Sequence, residues 1–422
     1  MLTNSSRRRF LGHLTGALAL AGMATGALAA DPIVIGLPLN QTGPVGVVDH
    51  ADHLNGTILA IEEINAAGGV LGRKIETKVV DTDLLSPEGT QAAFQKLVDE
   101  KVHAFSSPFV LIPNPAMDAS AAYGAPHMSG DTKIDAINYF KKNPEKHSNF
   151  FHLDPPETNY GKGFIPFLDA LKASGKWKPN NNKIHIVQGQ IGYNQRISEA
   201  TIKAIKESNG RWELAGITDI QSPVQDWGPT IRDMHKYNAG VVMLNHWVAA
   251  AYAAFTSQSQ ANPLQGALIY MQYGPSQPEF LDIAGEAAEG YVWSTVLGVY
   301  NDAKGAEFRK KYKKRFPGTM GLVYTGMGYD TVYMLKRAWE AVGDPNNFKA
   351  VNDHIRANNY RGVNGWYKLD NDCQCTPAYP QEVNDIEKGM AHLFFQVQDG
   401  EHKIIAPDPL TETEFRPAPW MQ

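Results

Sequence analysis

Short runs of continuous apolar residues alternate along the chain with stretches whose apolar positions recur every three or four residues. Ile33-Val34-Ile35-Gly36-Leu37 is a run of the first kind. Leu54, Ile58 and Ile61 follow at helical spacing within residues 50–66, which Gly68-Gly69 stops. Ile75 to Val80 reads as a strand, and Ser86-Pro87 opens a helix to about Glu100, with proline well placed in its first turn. A strand at Val102 to Phe105, a helix near 113–122, a strand near 125–128 and another at Phe150 to Leu153 complete a first set. The second set is helix 158–174, strand Ile184 to Val187, helix 194–208, strand 212–217 and helix 225–237. Repeated strand–helix–strand units imply parallel sheets with right-handed crossovers. Two sets imply an α/β protein of two doubly wound lobes.

One stretch breaks the polar pattern. From Tyr237 to Pro278 there is no Asp, Glu, Lys or Arg. Asn245, the Ser257 to Gln260 cluster, Asn262 and Pro263 cut it into pieces too short to cross a bilayer. It reads as strand Val241 to Leu244, helix Trp247 to Phe255 and strand Ala267 to Tyr270, with strands buried on both faces.

Open parallel sheets bind ligands just beyond the carboxyl ends of their strands. Applied here, that rule selects Thr42 after the first strand and Ser107, Phe109, Val110 and Leu111 after the strand ending near Phe105. Ser129, Asp131 and Thr132 follow the strand near His127. The second set contributes Tyr193, Trp247, Gln272 and Tyr273. Nearly all carry hydroxyl, amide or aromatic groups. They suit a small organic ligand held by hydrogen bonds and ring faces, not a phosphate ester or a metal. Asp131 reads either as a helix N-cap or as the partner of a ligand amino group.

Composition narrows the classes. At 422 residues, 43% hydrophobic and 20% charged, the chain is globular rather than disordered. Its formal charge of −5, with no basic run after Lys141-Lys142 except Arg309 to Arg315, makes it a poor nucleic-acid binder. Arg7-Arg8-Arg9 precede a weakly apolar stretch and Ala27-Leu28-Ala29, a pattern similar to a twin-arginine export signal over residues 1–29. Its removal would leave an acidic periplasmic protein beginning at Ala30, free of lipid or membrane anchor.

Catalytic and metal chemistry find little footing. Cys373 and Cys375, the only cysteines, read as a local disulfide or two thiols on a late loop. His50 and His53 share a helix face without a third ligand and read as solvated. The run Arg309 to Arg315 also reads as a solvated helix face. No Gly-rich phosphate loop or Gly-x-Ser-x-Gly elbow is present, and Gly326-x-Gly328 sits in a helical pattern. No cofactor, metal or catalytic residue is expected.

The run Asn65-Ala66-Ala67-Gly68-Gly69-Val70-Leu71-Gly72 resembles the opening signature of periplasmic binding proteins of the branched-chain amino acid, amide and urea importer type. Ile35-Gly36 leading to Thr42-Gly43-Pro44, Asp81 with Pro87, Tyr193, and Ile283 to Gly290 also match, in order along the chain. The resemblance implies a clamshell with three crossings: lobe 1 at 30–153 plus 297–368, lobe 2 at 154–296 plus 369–406, and a surface tail at 407–422. It implies a monomeric substrate-binding subunit of an ABC importer that closes on one solute and docks on a membrane permease. A ligand-sensing subunit for a membrane receptor is the alternative, and an exported enzyme is disfavoured. The family's ligand-carboxylate loops fall near Ser107 to Leu111 and Ser129 to Thr132, its aromatic wall on Tyr193 and Trp247, and its ammonium-pairing acid near Gln272-Tyr273. That last loop has no acid before Glu279, so Asp131 supplies the charge or the ligand has no amino group.

Overall fold

A computed structural model describes residues 31–421; the export-signal reading falls outside the described residues. The first sheet contains β1 (Ile33–Leu39), β2 (Ile75–Asp81), β3 (Ala104–Ser107), β4 (His127–Ser129) and β5 (Phe150–His152). All are parallel, in the order β2-β1-β3-β4-β5. Between them run α1 (Val47–Ala66), α2 (Pro87–Asp99), α3 (Pro113–Tyr123) and α4 (Ile134–Lys142).

After β5 the chain passes into α5 (Thr158–Ala173) and a second parallel set: β6 (Lys183–Gly189), β7 (Glu213–Ile220), β8 (Val241–Asn245), β9 (Leu268–Gln272) and β10 (Val292–Thr295). Their order, β7-β6-β8-β9-β10, repeats that of the first sheet. The crossovers are α6 (Gly192–Glu207), α7 (Gly228–Tyr237), α8 (Ala249–Ser259) and α9 (Glu279–Ala284). The chain then returns to the first lobe as α10 (Ala303–Arg315), α11 (Tyr324–Val342) and α12 (Phe348–Ala357), with α11 packed along α1.

Four short strands follow as two pairs, β11 (Tyr360–Arg361) with β12 (Trp366–Tyr367) and β13 (Ala378–Tyr379) with β14 (Met390–Ala391). A last crossing ends in β15 (Leu393–Gln398) and β16 (Glu401–Ala406), an antiparallel extension of the second sheet beside β10. Both lobes are therefore doubly wound and joined by three crossings.

The charge-free stretch is strand, helix, strand as read: every residue of β8 and β9 is buried. Among the described residues no helix is long and apolar enough to cross a membrane. The Asn65 to Gly72 run earns its sequence locally. Gly68 and Gly69 have φ of 107° and 79°, and a Cβ on Gly69 would lie 2.0 Å from the Arg73 carbonyl oxygen. Asn65 then pins the helix end to β2, accepting from the Ile75 N–H at 2.8 Å and donating to its carbonyl at 2.9 Å.

Two readings are corrected. His50 and His53 do not face solvent; they are 1% and 0% exposed. His50 Nδ1 accepts from the Asn40 N–H at 3.1 Å, and His53 Nε2 lies 2.9 Å from the Ser106 hydroxyl. α1 is covered by α11 on the side that would otherwise be wet, so its polar amino-terminal half is interior. The basic run of α10 is only partly solvated. Arg309 donates to the Tyr300 and Val299 carbonyls, and Arg315 forms a two-pronged pair with Glu62. Cys373 and Cys375 are joined as a disulfide. The tail after β16 lies across the second lobe and buries Leu410, Phe415 and Ala418.

Candidate functional site

Loops at the carboxyl ends of both sheets enclose a cavity lined by residues of both lobes. Phe109 and Leu111 follow β3, and Asp131, Thr132 and Lys133 follow β4. From the second lobe Ile191 precedes α6, Tyr193 lies in its first turn, Trp247 follows β8 and Tyr273 follows β9. Tyr160 near the start of α5, Leu297 after β10 and Tyr324 at the start of α11 complete the lining.

Six aromatic rings thus line one gap. Phe109 and Trp247 meet edge to face from opposite lobes, their centroids 6.1 Å apart. Phe109 also packs against Tyr324 at 5.7 Å, and Tyr273 against Tyr324 at 6.2 Å. Edge-to-face arrangements at these separations are favourable for aromatic quadrupoles.

Seven of the twelve residues selected from sequence line the cavity: Phe109, Leu111, Asp131, Thr132, Tyr193, Trp247 and Tyr273. The other five do not. Thr42 is exposed and donates to Asp81 at the end of β2. Val110 is wholly buried in the core between α2 and the first sheet. Ser107 is buried inside β3, Ser129 accepts from the Asp131 N–H at 3.3 Å, and Gln272 donates to the Tyr193 hydroxyl at 2.9 Å. Ser129 and Gln272 thus brace lining residues. Lys133 stands one residue after Thr132 and Ile191 two before Tyr193; Tyr160 and Tyr324 stand at helix starts, and Leu297 follows β10, a strand absent from the sequence reading.

The charged groups near the cavity are few and buried. Asp131 Oδ1 accepts from the Lys133 N–H at 3.1 Å, while Oδ2 has no partner. Burial pushes this carboxyl up to about 6, against the opposing pull of Lys133. Lys133 Nζ donates to the Leu111 carbonyl. Behind them, Glu157 Oε2 accepts from the Ile134 N–H at the start of α4 at 2.6 Å. Burial raises Glu157 to about 8 and holds Asp154, whose two carboxyl oxygens are unpartnered, well above the usual carboxylate range.

A second polar cluster joins the lobes at the cavity's side. Asp49 in α1 accepts from the Tyr273 hydroxyl at 2.5 Å and from Gln277 Nε2 at 2.8 Å, both residues of the second lobe. Tyr273 holds φ at 54°, a conformation that costs a non-glycine residue about 1–3 kcal/mol and that aims its side chain across the gap. Gln277 Oε1 meanwhile accepts from the Ala249 N–H at the start of α8. The arrangement can bind and enclose; no nucleophile is paired with a base among the lining residues.

Comparison with known proteins agrees with this geometry. Residues 32–381 match the family model described as periplasmic binding protein. A structure from Silicibacter pomeroyi, provisionally described as a branched-chain amino acid ABC transporter, is 32% identical with a TM-score of 0.84, covering 92% of this chain and all of that one. A solute-binding protein from R. palustris in complex with benzoate has a TM-score of 0.68 at 16% identity, covering 90% of this chain and 99% of that one, a likeness of fold. The leucine-, isoleucine-, valine-, threonine- and alanine-binding protein of Pseudomonas aeruginosa is 24% identical over 355 residues, 84% of this chain and 90% of that one. With its two doubly wound lobes, three crossings and interlobe cavity, the chain belongs to the periplasmic binding protein family.

Proposed function

We propose that this protein is the periplasmic substrate-binding subunit of an ABC importer, capturing one small organic solute between its lobes and releasing it unchanged. The observation that carries the reading is the ring-lined cavity built from both lobes, with Phe109 against Trp247 across it. A pocket of this kind gains most of its contact only when the lobes meet, so binding and closure are one event. Closed lobes present a surface that open lobes do not, which is what a membrane permease needs in order to recognise the loaded state.

The hinge divides 30–153 with 297–368 from 154–296 with 369–406, and Phe109, Leu111, Asp131, Thr132, Tyr193, Trp247 and Tyr273 contact the solute. Ser129 and Gln272 act from behind. Export through a twin-arginine signal at residues 1–29 and action as a monomer complete the reading. The Silicibacter pomeroyi and Pseudomonas aeruginosa relatives support amino-acid-like solutes, and the benzoate complex supports ring-bearing ones.

A thermal-shift screen of amino acids, amides, urea, organic ammonium compounds and aromatic acids tests the proposal. A true solute at ~100 times its dissociation constant adds about 2.7 kcal/mol to the folded state. A screen in which none of these classes raises the melting temperature, or one in which the solute is chemically converted, contradicts it.

A further inference from the structure

We infer that the solute of this cavity carries a methylated ammonium group, seated among the ring faces and neutralised by Asp131. This rests on the solute-binding reading and names the chemistry of its ligand. Three observations carry it. Asp131 is 1% exposed, lines the cavity and leaves Oδ2 without a partner, an arrangement that is costly for a buried carboxylate unless a ligand completes it. Lys133 does not complete it: its ammonium is turned to the Leu111 carbonyl and only its backbone N–H reaches Asp131.

Second, six rings surround that oxygen's cavity, and aromatic faces attract cations within about 6 Å of their centroids, most strongly when water is excluded. Third, acceptors are scarce. Phe109, Leu111, Ile191, Trp247 and Leu297 offer the cavity no side-chain acceptor. A primary ammonium presents three N–H groups and would leave some unsatisfied here; a methylated ammonium presents few or none and meets the rings with its methyl groups.

Asp154 and Glu157 stand behind Asp131, and burial holds both toward the uncharged form, so neither is a cation that could neutralise it. The positive helix ends at the cavity are partly answered already. Glu157 accepts at the start of α4, and Gln277 accepts at the start of α8.

The test titrates the purified chain by calorimetry with choline, glycine betaine and tetramethylammonium, and with leucine, benzoate and 3,3-dimethylbutan-1-ol, the uncharged carbon isostere of choline. The inference expects at least one methylated ammonium probe to bind, choline to exceed its isostere at least ~100-fold, and Asp131→Asn to erase that gap. Circular dichroism checks that the variant folds, and Trp247→Leu provides a second route, weakening the charged probe more than the isostere. Preference for leucine, benzoate or the isostere over every ammonium probe overturns this inference while leaving solute capture intact. Failure of every probe to bind overturns this inference too, and solute capture falls with it only if the broader screen is also blank.

Discussion

Tyr273 reaches out of the second lobe and gives its hydroxyl hydrogen to Asp49 of the first at 2.5 Å. This bond, with Gln277 on the other carboxylate oxygen, is formed only when the lobes meet. Asp49 is 1% exposed in the closed form and would regain water on opening, so the two donors replace that water and help set the closing equilibrium.

Tyr273→Phe removes one of the two donors without changing the ring wall. Leaving a buried carboxylate short of a partner costs about 1–3 kcal/mol. Solute affinity is expected to fall roughly 5- to 150-fold, while the melting temperature of the solute-free protein moves little. Titration calorimetry paired with a melt of the empty protein separates the two effects; an affinity equal to that of the parent removes the bond from the closing balance.

Trp247→Ala deletes one half of the edge-to-face pair that spans the gap. We expect the thermal shift produced by the solute to vanish, since both a wall and an interlobe contact are lost. Differential scanning fluorimetry with saturating solute reads this directly, and an undiminished shift would place the solute elsewhere.

Stability should peak near pH 6 because two sets of buried groups pull in opposite directions. Burial raises Asp131 and Asp330 to about 6, Asp49 to about 7 and Glu157 to about 8, so the folded state binds more protons than the unfolded one at neutral pH. Their contribution is lost as pH rises through those values. Burial lowers His50, His53, His127, His152 and His392 to about 3 and His185 and His246 to about 4. Their contribution is present above about 6.5 and is lost as pH falls toward those depressed values. Chemical denaturation from pH 4 to pH 9 is expected to give a maximum between these limbs; a flat profile would contradict the buried assignment of these groups.

Gly56→Ala tests the packing of α1 on α11. An added Cβ would lie 1.9 Å from the Thr325 carbonyl oxygen, so the helices must separate. A loss of at least ~2 kcal/mol is expected. Gly192→Ala serves as its control, since a Cβ there meets nothing within 4 Å and should leave stability within about 1 kcal/mol. Denaturation midpoints compare the two; equal effects would contradict the close approach of α1 and α11.

The repeat of strand and helix was legible because each buried strand, such as Val241 to Leu244, is an uninterrupted apolar run. The strand-end rule found Phe109, Asp131, Trp247 and Tyr273 because each follows the carboxyl end of a parallel strand, β3, β4, β8 and β9 in turn. It could not find Tyr160, Leu297 or Tyr324. Tyr160 and Tyr324 stand near helix starts, which a strand-end rule does not reach, and Leu297 follows β10, a strand absent from the sequence reading. Nor could it find Asp49, whose polar helix face looks solvated until Tyr273 and Gln277, 224 and 228 residues later, reach it from the other lobe. The departure at Gln272-Tyr273 was legible as a missing acid; its structural answer is that Tyr273 donates to Asp49 instead of a carboxylate standing in that loop.

Small-angle scattering of the purified chain, titrated with its best-stabilising solute, tests the closing of two lobes on one ligand most directly. The radius of gyration should fall and level off at one equivalent, with the solute recovered unaltered afterwards. A scattering curve that does not change through saturation, or a solute consumed during the titration, would contradict the account.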